Sequence, residues 1–339
     1  MRLLALGAAL LGWLAQGVAP AVAAGREVTI GYQLVPAPWA VPITEGRLER
    51  DTGYTVRWVK FDSGARVAAA MAAGEVQIGL LGSSPLAAAV SRRIDLQLFW
   101  ILGDIAASEG LVVRPGSGID PADPASLRGR RIATPFLSTS HFHTLFALEL
   151  WGIEPSAVTL VDLQPSQILA AWERQEIDAA YLWGPALARL KRAGTVMIDS
   201  AVLAEKGRPT FDGLVVARDW AERNRDFLVR LVRMVAEADE AYRRDPAAWT
   251  PDSPAVKAVV GLLGGDPADV PAELALRRFP TLEEQASARW LGGGAEGGAA
   301  RTLRSTAEFL LAHGRIEAVL PDYAKFVTPA FVAAAAEQR

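Results

Sequence analysis

The chain of 339 residues contains no cysteine and only three histidines. A disulfide scaffold, cysteine-ligated zinc, an iron–sulfur cluster and a thiol nucleophile are therefore excluded. His141 and His143 are two positions apart on a predicted helix, so they do not face one metal ion. The motifs G-x-S-x-G and H-E-x-x-H are absent. The net charge of −3 gives no support to nucleic-acid binding, which would require a basic face. Together with the missing motifs, the sequence therefore predicts no nucleic-acid partner, no metal, no cofactor and no catalytic residue.

Residues 1–24 have the pattern of a cleavable secretory signal, with Arg2, an apolar stretch and the small residues Ala23 and Ala24. The alternative is a membrane anchor, but Gln16 and Pro20 interrupt a run that is already short for a span. No cysteine follows that could carry a lipid. No later stretch reaches roughly 18 apolar residues. We therefore expect an exported, soluble, periplasmic protein.

Strand-like and helix-like segments alternate along most of the chain, which predicts α/β lobes with mostly parallel sheets flanked by helices. Two stretches read almost alike: "EGLVVRP" from Glu109 and "DGLVVAR" from Asp212. If Leu111–Val113 and Leu214–Val216 are adjacent crossover strands, the chain leaves one lobe, builds a second and returns. This predicts lobe 1 at 25–112 and 215–339, and lobe 2 at 113–214, with an acid on each crossing facing the cleft.

The predicted cleft has an anionic and a cationic side. "LGSSPL" and "FLSTSHF" each open a helix, and helix N-termini present unpaired N–H groups to a small oxyanion. The alternative is that these serines are ordinary N-caps. Glu109 and Asp212 could receive a cation, or they could be solvated loop acids. Tyr32, Tyr181 and Trp183 could wall the ligand or belong to the core.

Longer segments resemble a known family. "KFDSGARVAAAMAAGEVQIGLLGSSPLAAA", "SEGLVV", "GRRIATPFLSTSHFHTLFALELWGIEP" and "PTFDGLVV" are similar to the periplasmic taurine-binding proteins of bacterial ABC importers, within the wider aliphatic sulfonate and nitrate binding family. The resemblance extends from about residue 27 to residue 330. It implies the two-lobed periplasmic binding protein fold with two crossover strands. It also implies an aminosulfonate ligand, delivered to a membrane permease and its ATPase by a protein that we expect to be a monomer.

The resemblance implies a role for each residue of the matching motifs. The sulfonate would be held by the two serine-rich turns, through Ser83, Ser84, Ser138, Thr139 and Ser140. The ammonium would be held by Glu109 and Asp212. The resemblance also places Trp183 in the pocket wall. With Tyr32 and Tyr181, named above as possible wall residues, and with Gln33, it completes the expected pocket wall. Gly184 stands where alanine is usual in the family. A receptor for another small anion or zwitterion, or an exported enzyme on the same scaffold, are the alternatives.

Overall fold

The computed structural model describes residues 26–337, so the predicted signal segment lies outside the described residues. Within this range the chain forms ten β-strands: Glu27–Tyr32 (β1), Thr55–Lys60 (β2), Ile78–Gly82 (β3), Leu96–Asp104 (β4), Glu109–Val113 (β5), Arg131–Thr134 (β6), Thr159–Asp162 (β7), Ala179–Trp183 (β8), Thr195–Asp199 (β9) and Phe211–Ala217 (β10). The central strands β3 and β8 are buried along their whole length, as expected for strands covered by helices on both faces.

The same range contains fifteen α-helices. They are Ala40–Thr44 (α1), Arg47–Thr52 (α2), Gly64–Ala72 (α3), Ser83–Ser91 (α4), Thr139–Leu150 (α5), Pro165–Glu173 (α6), Gly184–Lys191 (α7), Ser200–Glu205 (α8), Arg218–Arg223 (α9), Arg225–Arg244 (α10), Pro254–Leu263 (α11), Val270–Ala275 (α12), Leu282–Ala286 (α13), Gly298–Ala312 (α14) and Ala330–Glu337 (α15). None of the helices in this part of the chain is long and apolar enough to cross a membrane.

The strands form two five-stranded sheets with the same layout, in the orders β2-β1-β3-β10-β4 and β7-β6-β8-β5-β9. In each sheet one strand, β10 or β5, is antiparallel to both neighbours. The remaining strands of each sheet run in one direction, with helices between them. This confirms the predicted fold class, two α/β lobes with mostly parallel sheets. The exact lobe boundaries given above stay a prediction.

The two acid-led strands do not pair with each other, so the expectation of adjacent crossover strands was wrong. β5 lies between β8 and β9 of the second sheet, and β10 lies between β3 and β4 of the first. The chain crosses between the sheets in the short segments just before these strands, where Ile105 N–H donates to the Thr210 carbonyl. Each crossing segment therefore leads straight into the reversed strand of the sheet that it enters.

Helix α14, from the C-terminal part of the chain, packs against α4 of the first lobe and also reaches the second lobe. The buried ring of Phe309 lies 4.9 Å from the ring of Phe142 and 6.1 Å from that of Phe146, both on α5. The guanidinium of Arg208 lies over the same ring at 5.3 Å. Phe309 therefore belongs to the apolar core of the second lobe and joins the lobes near the second crossing.

Replacing Phe309 with alanine should lower the free energy of unfolding by about 3–5 kcal/mol, because it leaves a cavity in the apolar core of the second lobe. Leu311→Ala is the matched control, since this residue of the same helix is 41% exposed. The control should change stability by about 0.5 kcal/mol or less. Urea denaturation of the ligand-free protein measures both values, and equal losses would contradict the role of Phe309.

Candidate functional site

A small cavity lies where the two lobes face each other. The space between its walls that no atom fills is about 250 Å³, part of which is open to solvent, and both sheets contribute to its wall. The lining residues are Gln33, Val35, Gly64, Gly82, Pro85, Glu109, Ser138, Thr139, Trp183 and Asp212. Many of them stand at the carboxyl ends of parallel strands or at the helix starts that follow, which is where open α/β sheets place ligands.

The strand register explains why both acids reach this cavity. Asp212, near the start of β10, pairs with Gly82, the last residue of β3. Glu109, at the start of β5, pairs with Trp183, the last residue of β8. Since β10 and β5 run against their neighbours, the first residues of these strands lie at the carboxyl edge of each sheet. The repeated acid-led motif is thus placed symmetrically, one acid on each side of the cleft.

Glu109 is buried and accepts two hydrogen bonds from the start of α5. The Oγ1 of Thr139 donates to Oε1 at 2.6 Å, and the Oγ of Ser140 donates to Oε2 at 3.0 Å. Burial, and next the charge of Asp212, raise the pKa of Glu109 to about 7 against the lowering effect of these bonds. Two of the hydroxyls predicted to hold an anion, those of Thr139 and Ser140, therefore bind Glu109 instead. The backbone N–H groups of the first turn of α5 remain as the candidate anion donors.

The helix starts of α4 and α5 meet across the cleft. A Cβ built on Gly82, the N-cap of α4, would lie 2.8 Å from the Thr139 Cγ2, so the two turns are in contact. Ser138 caps α5, because its Oγ accepts from the His141 N–H at 3.0 Å. The first N–H groups of a helix have no carbonyl partner within it, and together the two helix starts form a positive region.

Ser83 and Ser84 are buried and are not among the residues that line the cavity. The Oγ of Ser84 donates to the Leu137 carbonyl at 3.3 Å, which is a contact between the lobes. The Oγ of Ser83 is buried without a hydrogen-bond partner among the described residues. These two hydroxyls therefore lie outside the cavity wall, which only the flanking residues Gly82 and Pro85 of the same turn reach, and their contact with a sulfonate stays a prediction.

Of the four predicted wall residues, Gln33 and Trp183 line the cavity and Tyr32 and Tyr181 do not. The ring of Tyr181 lies in the core of the second lobe, and its hydroxyl is 2.9 Å from the Ser200 Oγ. Tyr32 is packed in the larger core cluster. The alternation of side chains along β8 does not explain the difference between Tyr181 and Trp183, because residues two positions apart lie on the same face. Trp183 lines the cavity because it is the last residue of the strand, where the cavity begins.

Sequence reasoning missed Arg277, which follows α12. Its Nη2 donates to the Asp212 Oδ2 at 2.5 Å, and its Nη1 donates to the Ser108 Oγ at 2.9 Å. Both members of the ion pair are almost fully buried, with side-chain exposures of 2% for Arg277 and 7% for Asp212. Arg277 is one of two arginines in "LRRFP", and nothing in that segment marks it as part of a site whose other residues are distant in the sequence.

Two α/β lobes joined by two crossings, with a cavity between them, are the architecture of the two-lobed periplasmic binding protein fold. The chain belongs to the family described as NMT1/THI5 like, which matches residues 50–248. It is 37% identical over 306 residues to the taurine-binding periplasmic protein of Escherichia coli (strain K12), an alignment that covers 90% of this chain and 92% of that protein.

Solved structures show the same fold. The alkanesulfonate-binding protein SsuA from Xanthomonas axonopodis pv. citri, bound to MOPS, has a TM-score of 0.71 at 22% identity and covers 90% of this chain and 97% of its own. The desulfurization enzyme DSZB has a TM-score of 0.61 at 14% identity, covering 92% and 99%. Because a receptor and an enzyme share this scaffold, the fold alone does not decide between binding and catalysis.

The raised pKa of Glu109 predicts how stability depends on pH. Below pH 4.5, the ordinary value, Glu109 is protonated in the folded and the unfolded protein, and its stabilising contribution is complete. As the pH rises from 4.5 through about 7, the unfolded protein ionises Glu109 before the folded protein does, and up to about 3 kcal/mol is lost. Urea denaturation should therefore show the ligand-free wild type losing stability relative to Glu109→Gln over this range. A constant difference would contradict the prediction.

Proposed function

We propose that the protein is the solute-binding component of an ABC importer and binds taurine or a related aliphatic aminosulfonate between its lobes. Membership of the family and the 37% identity to a taurine-binding protein support this. The main structural support is that Glu109 and Asp212 lie at one small cavity together with the starts of α4 and α5. A zwitterion with a cationic and an anionic end matches that arrangement of charge.

The ammonium group of such a ligand would bind the Glu109 carboxylate, with the Asp212 Oδ1 beside it. An ammonium favours the ionised form of Glu109, so binding at pH 7 releases part of a proton from a carboxyl whose pKa is about 7. The sulfonate would lie against the backbone N–H groups of α4 and α5. Charge-assisted hydrogen bonds contribute about 1.5–3 kcal/mol each, and micromolar binding requires about −8 kcal/mol in total.

The permease would recognise the closed arrangement of the lobes, because a ligand held by both lobes favours that arrangement over an open one. We propose residues 1–24 as the signal for export, the periplasm as the location and a monomer as the working form. The permease and its ATPase are the expected partners, and the chain itself performs no chemistry. An aminocarboxylate receptor and an exported enzyme are the competing functions, and the second is favoured only by the scaffold shared with DSZB.

A thermal-shift titration of the mature protein, beginning at Gly25, tests the proposal with taurine, ethanesulfonate, β-alanine and sulfate. We expect taurine to raise the unfolding midpoint most, since a ligand at a hundredfold excess over Kd stabilises the folded state by about 2.7 kcal/mol. A larger shift with β-alanine would identify an aminocarboxylate receptor instead. Multiple-turnover product formation from the sulfonates would identify an enzyme.

Replacing Glu109 with glutamine should weaken taurine binding at pH 7 by at least about tenfold and ethanesulfonate binding much less, because only taurine has an ammonium group. Isothermal titration at pH 6 to 8 provides a second readout. Wild-type affinity for taurine should rise with pH and level off above about 7, and that rise should be lost in Glu109→Gln. Equal losses for both ligands would show that Glu109 does not receive the ammonium.

Gly184, at the start of α7, lies against the first lobe. Its φ is +58°, and a Cβ built there would lie 2.2 Å from the Leu34 carbonyl oxygen. Gly184→Ala should therefore weaken taurine binding by about tenfold or more, because the lobes cannot approach as closely. Gly152→Ala is the matched control, with a φ of +63° and no atom within 4 Å of the added Cβ. Equal affinities in calorimetry would show that this contact does not limit closure.

A further inference from the structure

Arg277 contacts both of the segments that lead into the acid-bearing strands. Ser108 directly precedes Glu109, and its Oγ accepts from the Arg277 Nη1 at 2.9 Å. Asp212 follows the second crossing and accepts from the Arg277 Nη2 at 2.5 Å. The guanidinium also lies against β4, because a Cβ at Gly103 would be 3.0 Å from Nη2. One side chain therefore links the two crossings to the first sheet.

Arg277 also supplies positive charge to a group of carboxyls. The acids that interact with it come from five different elements: Asp104 on β4, Glu109 on β5, Asp212 on β10, Asp239 on α10 and Glu273 on α12. The other charged groups near these acids are Arg243, Arg278, Arg289, Lys191 and Asp269. Tyr181 and the hydroxyls of Thr139 and Ser140 face Glu109 from β8 and α5.

Burial raises the pKa of each competing acid, Asp104, Asp239 and Glu273, and so reduces the negative charge with which they compete for Arg277. Asp239 is fully buried, and neither of its oxygens has a hydrogen-bond partner in the described part of the chain. Burial raises the pKa of Asp239 well above its ordinary value, which favours the neutral form of this carboxyl. Burial and Asp269 raise the pKa of Glu273 to about 7. Asp212 is hydrogen-bonded to Arg277, and Glu109 lies next along the chain to Ser108.

We propose that Arg277 is a positioning residue that determines specificity at this site. It orients Asp212 directly and orients Glu109 through Ser108. It also limits the combined charge of the two acids to a value that the ammonium group of a single ligand neutralises. Asp212 uses Oδ2 for the arginine and retains Oδ1 for the cavity. The inference rests on the proposed function only in taking the ligand to carry an ammonium group.

Electrostatics gives the reason that such a residue is needed. Two buried carboxylates at one cavity cannot both be ionised without a counter-charge, and one of them takes up a proton. A protonated Glu109 could not attract a cation. The guanidinium next to Asp212 offsets one of the two negative charges and acts against the rise in the pKa of Glu109. The acid pair can then bind a cation near neutral pH.

The first test uses the ligand-free, full-length mature protein and needs no ligand. Carboxyl ¹³C NMR of glutamate-labelled protein, with Glu109→Gln for assignment, follows the titration of Glu109. We expect Arg277→Met to raise the pKa of Glu109 by about one unit or more, and Arg277→Met with Asp212→Asn to return it to the wild-type value or below. Arg278→Met is the control, a neighbour that pairs with Glu284 on the surface. An unchanged titration in Arg277→Met would overturn the proposal.

Arg277→Met could fail to fold, because it leaves Asp212 buried without its partner. In that case the pKa of Glu109 is compared between the single variant Asp212→Asn and the double variant Asp212→Asn with Arg277→Met. Neither protein has an unpaired aspartate at position 212. Removing the arginine should again raise the pKa of Glu109, since its positive charge acts on that carboxyl even when position 212 is neutral. The same pKa in both variants would overturn the proposal.

The second test measures ligand selectivity by calorimetry at pH 7. Arg277→Met should reduce the ratio of taurine to ethanesulfonate affinity at least about tenfold, and Arg277→Lys should recover part of it by keeping the charge. A purely structural role would weaken both ligands equally, and that result would overturn the inference. If the wild type binds neither ligand, the proposed function fails, and the NMR titration still decides the role of Arg277.

Discussion

The reversed strand in each sheet is the constraint on which the site depends. β5 and β10 each run against their neighbours, so the residue that begins the strand lies beside the carboxyl ends of the parallel strands. An acid at that position lies at the carboxyl edge of the parallel strands, next to the N-termini of the helices α4 and α5 that follow β3 and β6. The same strand order in both lobes repeats this geometry on both sides of the cleft, and the cavity acquires its paired charges from topology alone.

Burial then sets the chemistry of those charges. Glu109 loses hydration and faces Asp212, and these effects outweigh two hydrogen bonds from hydroxyls. Asp212 is stabilised by the guanidinium of Arg277 instead. The two acids occupy equivalent positions but have different environments: Glu109 has a pKa of about 7, and Asp212 is paired with Arg277. A breaking of symmetry of this kind suits a site that must accept one cation rather than two.

The sequence predicted the lobes and both acids because their signals are local. Alternating strands and helices indicated the sheets, and the repeated "GLVV" after an acid indicated that Glu109 and Asp212 occupy equivalent places. The pairing of the strands was predicted wrongly, since periodicity does not specify which sheet a strand enters. Tyr181 was assigned to the pocket although it belongs to the core, and Arg277 was missed. Both depend on contacts between distant segments that no local pattern reports.

Coupling between the site and the movement of the lobes follows from where the acids are attached. Glu109 and Asp212 each come just after a crossing, and the crossings contact each other through Ile105 and Thr210. In the proposed function, a ligand that binds both acids would act on the two segments on which any rotation of the lobes depends. Arg277 ties the same segments to the first sheet, so the positions of the charges and the geometry of the crossings are not independent. Recognition of an ammonium group and closure of the cleft would then be one event.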